Sequence, residues 1–317
     1  MKLLKYHILA LLAGYILDLI VGDPHELFHP IRLIGNLISA TEKKIYKDKR
    51  ERGLLLVLIV LSVVFITVFF IIFAAYKINA LVGIIVEAIL SFYCLATKSL
   101  AVESGNVIKA LNEEGIVAAR KQLSMIVGRD TDNLSEEEVI KAAVETVAEN
   151  TADGVVSPMI YLCLGGPVLG FLYKAINTMD SMVGYKNDRY RNYGYYPARL
   201  DDISGYITSR ISALLIVLSA YILPGFDGNS AFRIFKRDRY NHKSPNSAQS
   251  ESAYAGAMGL KLAGGAFYFG KWVEKPYIGD EVNIIGRGDV GRSHKLLYMT
   301  SLLSIILCMV AISIVMK

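Results

Sequence analysis

The sequence predicts an all-α fold: a polytopic integral membrane protein with about five to six membrane segments and amphipathic helices in the connecting segments. Three observations predict it. The 317 residues are 53% hydrophobic and 20% charged, with a mean hydropathy of +0.40. Soluble domains lie nearer about 45–50% apolar and about 25% charged. Residues 54–75 form an apolar run without a single charge. At about 1.5 Å per residue such a run crosses a hydrocarbon core of roughly 30 Å. Finally, only helices or closed barrels span lipid, and these runs are too long and continuous for barrel strands. A single integral membrane domain over residues 1–317 is expected.

The first apolar run, 6–21, is short and holds Asp18. It does not end in a small-residue cleavage site, so it reads as a sixth span or an interfacial helix rather than a cleaved signal. Segments 54–75 and 81–96 read as a helical hairpin, the second carrying Glu87. Segment 97–154 reads as amphipathic helices, and Ser135 before Glu138 predicts a capping box that opens a helix running to about Asn150. Segment 155–176 is apolar but broken by Pro158, Gly165, Gly166 and Pro167. It reads either as a kinked span or as a segment that dips and returns. Segments 203–223, with Arg210, and 296–316 are the last two spans.

Lys and Arg in short flanks set orientation. Segment 22–53 carries seven of them, from Arg32 to Arg52, and is expected in the cytoplasm. The hairpin then returns 97–154 to that side. If 155–176 spans, 177–202 lies outside and 225–294 inside. If it is re-entrant, the two exchange sides. The net charge of +5 is modest, and no basic stretch is interleaved with aromatics. Nucleic acid is therefore not an expected partner. The three cysteines, Cys94, Cys163 and Cys308, lie in apolar stretches without a CxxC pair and read as small hydrophobes.

Four constellations carry chemistry. In ETVAENTADGVVSP, Glu145, Glu149 and Asp153 follow one another at i, i+4, so a helix puts three carboxylates on one stripe. Hard oxygen ligands of this kind suit Mg²⁺, and a solvated acidic face is the structural alternative. The block 177–202, NTMDSMVGYKNDRYRNYGYYPARLDD, mixes five tyrosines with Asn177, Asp180, Lys186, Arg189, Arg199, Asp201 and Asp202. Its bases suit phosphate and its rings suit a large ligand, while an interfacial tyrosine belt explains it equally well. In the block 237–259, His242, Ser244, Asn246, Ser247 and Glu251 precede or open a small-residue helix, where caps and anions both bind. Near the start, DLIVGDPHELFHPIRLIG groups Asp18, Asp23, His25, His29 and Arg32. One decoy stands apart. GAFYFGKW, 265–272, nearly fits the phosphate-loop pattern, but Trp272 replaces the required hydroxyl and the inner positions are bulky rings.

These four blocks, in this order and followed by KPYIGD, resemble the cobalamin-biosynthesis membrane protein family of adenosylcobinamide-phosphate synthase, the CbiB/CobD type. The likeness covers nearly the whole chain, and ENTADG and NTMDSMVGYKN are its most specific parts. Segment 278–295, rich in Gly and Arg, departs from the family's acidic pattern. The resemblance implies condensation of adenosylcobyric acid with aminopropanol phosphate, or a related amino-alcohol, using ATP and Mg²⁺. It further implies a cell (inner, cytoplasmic) membrane location, with the lipid bilayer and other late corrinoid-assembly membrane enzymes as partners. On that reading Glu145, Glu149 and Asp153 hold Mg²⁺, and Lys186, Arg189 and Arg199 neutralise phosphates. His29 or His242 takes the amine's proton. Asp23, Asn150, Asn177, Asp180, Tyr185, Asp201, Asp202 and Asn246 position substrates.

Two other classes fit the composition. A Mg²⁺-dependent membrane transferase acting on a phosphorylated lipid also uses acidic stripes beside spans, although repeated Asp motifs on facing helices are not found here. A transporter or sensor would give Glu87 and Arg210 an intramembrane role, although paired broken segments in two corresponding halves are not found.

Overall fold

A computed structural model describes residues 2–23, 29–185 and 188–315. The fold is all-α, as the sequence predicts. The helices are α1 (Lys2–Val21), α2 (Pro30–Ile45), α3 (Arg50–Ile78), α4 (Ala80–Phe92), α5 (Thr97–Glu113), α6 (Ile116–Ser124), α7 (Glu136–Asn150), α8 (Ser157–Val183), α9 (Tyr195–Ile222), α10 (Gly228–Asp238), α11 (Ser247–Met258) and α12 (Gly288–Val315). A π-helical turn, Thr151–Val156, joins α7 to α8. Four short strands follow α11: β1 (Leu262–Ala263), β2 (Ala266–Tyr268), β3 (Lys271–Val273) and β4 (Tyr277–Ile278). They pair antiparallel as β1 with β4 and β2 with β3.

Among the described residues, six helical stretches are long and apolar enough to cross a membrane: Leu3–Val21, Arg50–Ile78, Ala80–Glu113, Glu136–Val183, Tyr195–Ile222 and Gly288–Val315. The protein is thus multi-pass in character, and the first run belongs with the other five. The chain forms two compact units. Unit one is Met1–Ala96, Ser157–Tyr206 and Ile305–Lys317; unit two is Thr97–Val156 and Ile207–Ser304.

In unit one, α1 packs on α4, and α3 packs on α2, α4 and α8. Glu87 in α4 is buried, and it bonds to His7 of α1 and Tyr76 of α3. This acid is therefore partnered within unit one. The apolar segment after Ser157 does not run straight. Gly165 (φ −154°, ψ 26°) and Gly166 (φ 59°, ψ −158°) leave helical geometry just before Pro167. Tyr161 and Tyr173 then stack with ring centroids 4.9 Å apart. Twelve residues of straight helix would separate them by about 18 Å. The chain therefore folds back on itself at Gly165–Gly166. His7 Nε2 lies 3.3 Å from the Cys163 carbonyl, a group the break deprives of its helical partner.

In unit two, α5 packs on α6 and α7, α10 packs on α11, and α11 packs on α7 and the π-helical turn. The capping box forms as predicted: Glu138 N–H donates to Ser135 Oγ at 3.2 Å, and Ser135 N–H donates to Glu138 Oε2 at 2.7 Å. All twelve residues of α11 are buried, polar ones included. A helix with no apolar stripe and small side chains fits only where neighbours close on every side.

Candidate functional site

The acidic stripe starts on α7. Lys141 and Glu145, one turn apart, grip a single backbone unit. Lys141 Nζ donates to the Ala263 carbonyl at 3.0 Å, and Glu145 Oε1 accepts the Ala263 N–H at 2.7 Å. Ala263 is held at φ 59°, a left-handed conformation rare for alanine. The other Glu145 oxygen accepts from Arg129. Burial favours the neutral form of Arg129, but the charge and hydrogen bond of Glu145 outweigh it and raise its proton affinity.

Glu149 is the open end of the stripe, and it meets an acid from another helix. Glu251 of α11 is 6% exposed. No hydrogen bond to its carboxylate is formed among the described residues. Burial, then the charges of Glu149 and Glu145, push its proton affinity well above the ordinary carboxylate range, while Lys275 and Arg129 pull it back. His242 stands in the same field. Burial lowers its proton affinity, Glu149 opposes that, and Lys275 adds to it. Lys275 is fixed by Tyr268, donating to its hydroxyl at 2.5 Å. Unit two therefore gathers Glu145, Glu149, Glu251, His242, Arg129 and Lys275 in one electrostatic cluster.

Among the described residues no three His, Cys, Asp or Glu side chains are placed to hold one metal ion. The expected trio is not a closed ligand set, because both Glu145 oxygens are already engaged. Asp153 lies in the π-helical turn, past the end of the α-helical register that defined the stripe. Glu149 with Glu251 is the better pair. Two mutually repelling carboxylates, one deeply buried, suit a hard dication that takes its remaining oxygens from phosphate and water.

Asn150 Nδ2 donates to the Thr146 carbonyl at 3.0 Å, and Thr151 Oγ1 lies 2.9 Å from the Tyr254 hydroxyl. Asn246 precedes α11 but makes no side-chain cap, contrary to the sequence expectation. It sits at φ −108°, ψ −45°, and its Oδ1 accepts from Ser209 at 3.4 Å. The first-turn N–H groups of α11 are left without that cap.

Neither histidine offers a lone pair for the amine's proton. His242 Nδ1 accepts the Ser244 N–H at 3.0 Å, and His29 Nδ1 accepts the Ile31 N–H at 3.2 Å. A neutral imidazole so bonded carries its proton on Nε2 and is a donor there. His29 Nε2 lies 3.2 Å from Asp23 Oδ1. In this geometry both rings present N–H rather than a lone pair.

The tyrosine-rich block belongs to unit one, and its first half is a clasp. Arg189 pairs with Glu42 at 2.9 Å and lies over the rings of Tyr46 and Tyr190, 5.2 Å from each centroid. Tyr190 donates to Glu42 at 2.9 Å, and Tyr46 donates to the Arg189 carbonyl at 2.7 Å. Asp48 accepts from Asn192 N–H, Asn192 Nδ2 and Tyr193 N–H at 3.0–3.2 Å. The Asn192 bonds hold the Asp48 carboxyl below the usual range. Arg189 thus fastens the loop. Arg199, as exposed as Arg189, is held more loosely, with Asp202 no nearer than 3.8 Å. Asn177 Nδ2 donates to Asp201 at 3.3 Å, the Asp180 carbonyl accepts the Gly184 N–H at 2.7 Å, and Tyr185 is exposed. Lys186 lies outside the described residues.

Sequence reasoning named Glu251 only as one polar group of the 237–259 block, and it did not select Arg129 or Lys275. Glu251 had a signal: a charge in a helix of Ser, Ala and Gly with no apolar face has nowhere to go but inside. Lys275 had only its place at the head of KPYIGD, and Arg129, a single base in a loop, had none.

The family model described as CobD/Cbib protein matches residues 11–297. "Cobalamin biosynthesis protein CobD" of Clostridium perfringens is 48% identical over 304 residues, covering 95% of this chain and 96% of that one. The protein of the same name from Listeria monocytogenes is 44% identical, covering 93% and 95%. That from Citrobacter koseri is 43% identical, covering 95% and 96%. No solved structure matches the chain.

Proposed function

The chain belongs to the CobD/CbiB protein family, and on that premise we propose that this cobalamin-biosynthesis protein is the amide-forming ligase of late corrinoid assembly. It joins adenosylcobyric acid to aminopropanol phosphate, or a related amino-alcohol, at the cytoplasmic membrane, with ATP and Mg²⁺. The observation that carries the reading is the cluster in unit two, where Glu149 and buried Glu251 stand beside Arg129 and Lys275. Anions and a dication are the chemistry such a cluster accommodates.

A free carboxylate is a poor electrophile. Its oxygen attacks the γ-phosphorus of ATP, ADP leaves, and an acyl phosphate forms. The amine nitrogen then attacks the acyl carbon, and the C–O bond to phosphate breaks with its electron pair going to phosphate. The amine's proton leaves with that phosphate, since neither His29 nor His242 has a lone pair to take it. Glu149 and Glu251 would hold Mg²⁺, which neutralises phosphate charge when bound. Lys275 and the Nε2–H of His242 donate to phosphoryl oxygens, where charge develops in phosphoryl transfer. Arg199, exposed in unit one, keeps its fork for a phosphate group.

The test is reconstitution of the purified chain with adenosylcobyric acid, amino-alcohol phosphate, ATP and Mg²⁺, read by mass spectrometry. Adenosylcobinamide phosphate and stoichiometric ADP are expected, with neither formed by Glu149→Gln. Turnover of a lipid phosphate without corrinoid would replace this reading with the lipid-phosphate transferase.

A further inference from the structure

Residues 265–272 fold as a β-hairpin, not as a phosphate loop. Phe269 (φ 52°) and Gly270 (φ 73°) make its two-residue turn, both left-handed as tight hairpins require. Asp130 clamps this turn. Its carboxylate accepts from Phe269 N–H at 3.0 Å and Gly270 N–H at 2.7 Å, and its own N–H donates to the Phe267 carbonyl at 2.9 Å. Phe267 and Trp272 are paired directly across β2 and β3, with ring centroids 5.1 Å apart, edge to face. The indole is fixed in place. A Cβ on Gly265 would fall 2.1 Å from it, and its Nε1–H donates to Glu274 at 2.8 Å.

Two ordered rings are thus held about half exposed, at 50% and 55%. They line a recess of about 390 Å³, together with Arg129, Lys141, Asp132 and Asn133. That volume is within the range of small-molecule sites, roughly 300–1,000 Å³. Neighbouring residues of a strand face opposite ways. Phe267 turns to the recess while Tyr268 holds Lys275 beside the carboxylates, so the hairpin separates the two. Arg129 belongs to both, lining the recess and pairing with Glu145.

We propose that this recess binds the purine nucleoside part of a nucleotide. The base stacks on the Phe267–Trp272 ledge, Asp132 and Asn133 take ribose hydroxyls, and the phosphates pass Arg129 toward Glu149 and Glu251. Stacking suits a flat heterocycle because every base has a π-face. The acids exclude a purely anionic ligand at the ledge, and the two bases mark where the charge leaves. The inference rests on the ATP dependence proposed above and deepens it.

The chain's single tryptophan is Trp272, so tryptophan emission from the full-length protein in detergent reports on this recess. ATP and adenosine are each expected to quench it saturably, and inorganic tripolyphosphate to do so weakly or not at all. Phe267→Leu and Asp132→Asn should weaken the ATP response and raise the KM for ATP about tenfold, the scale of a lost base-stacking contact. The KM for the corrinoid should not move. An emission change with lipid vesicles but none with ATP would make the ledge a membrane anchor and overturn the proposal. So would a raised corrinoid KM with ATP unaffected, which would give the recess to the corrinoid's own adenosyl group. Normal ligation by a protein whose emission ignores ATP would overturn the recess alone. Quenching by ATP without amide formation would uphold the recess and remove the proposed reaction.

Discussion

Single residues decide how charge is handled in this protein. Glu251 is a buried carboxylate facing two others, with no hydrogen bond to offset its burial among the described residues. Replacing it with glutamine removes the repulsion and keeps the shape. Glu251→Gln should therefore melt higher than the native chain in EDTA, by roughly 2–4 °C per kcal/mol recovered. It should also lose the stabilisation that millimolar Mg²⁺ gives the native chain. Equal Mg²⁺ shifts in both would remove Glu251 from the metal site. Arg199 differs from Arg189 in having, among the described residues, no ion-pair partner but Asp202 at 3.8 Å. A lost charge-assisted contact is worth roughly 1.5–3 kcal/mol. Arg199→Met should accordingly lower kcat/KM at least about tenfold in amino-alcohol phosphate or ATP titrations, with Arg199→Lys also impaired because the planar fork is lost. Normal kinetics in both variants would return Arg199 to a lipid-headgroup role.

At the scale of elements, the fold-back at Gly165–Gly166 is the decisive feature of unit one. Gly166 combines φ 59° with ψ −158°, a region that is essentially glycine's own. A Cβ there would have room, its nearest neighbour being Glu87 Oε1 at 3.4 Å, so the penalty is conformational. Gly166→Ala should cost about 1–3 kcal/mol, seen as a lower melting midpoint in detergent. Gly286→Ala, where nothing lies within 4 Å, should be neutral. The clasp from Glu42, Tyr46 and Asp48 to residues 189–193 sets a second expectation. Segments 22–53 and 177–202 must share a side of the membrane, and so must 97–154 and 225–294, tied by Asp130 to Phe269 and Gly270. The sequence had made 177–202 and 225–294 alternatives for one side. Lys47→Cys and Arg191→Cys should label alike with an impermeant thiol reagent, as should Asn133→Cys and Lys271→Cys. Opposite labelling within either pair would break that tie.

For the molecule as a whole, hydropathy made the six long helices legible, because a run of that length has no other stable state in lipid. The capping box located the start of α7 for the same local reason. The direction of 155–176 was not legible: Gly-Gly-Pro marks a break, but only the backbone angles at Gly165 and Gly166 say that it reverses the chain. Of the site, the stripe carrying Glu145 and Glu149 was visible as spacing, whereas Arg129, Lys275 and Glu251 reach it from segments remote in sequence. That remoteness has a consequence for how the chain is made. Unit one draws on residues 1–96, 157–206 and 305–317, and unit two fills the gaps between them. The ribosome therefore cannot release a finished first half, as it does for chains whose domains follow one another. Unit one must wait, incomplete, until Cys308 emerges to bond the Met159 and Cys163 backbone and thiol groups. A chain stopped after residue 304 should thus be cleared by membrane proteases faster than the full chain in a pulse-chase, with its early half degraded as readily as its late half.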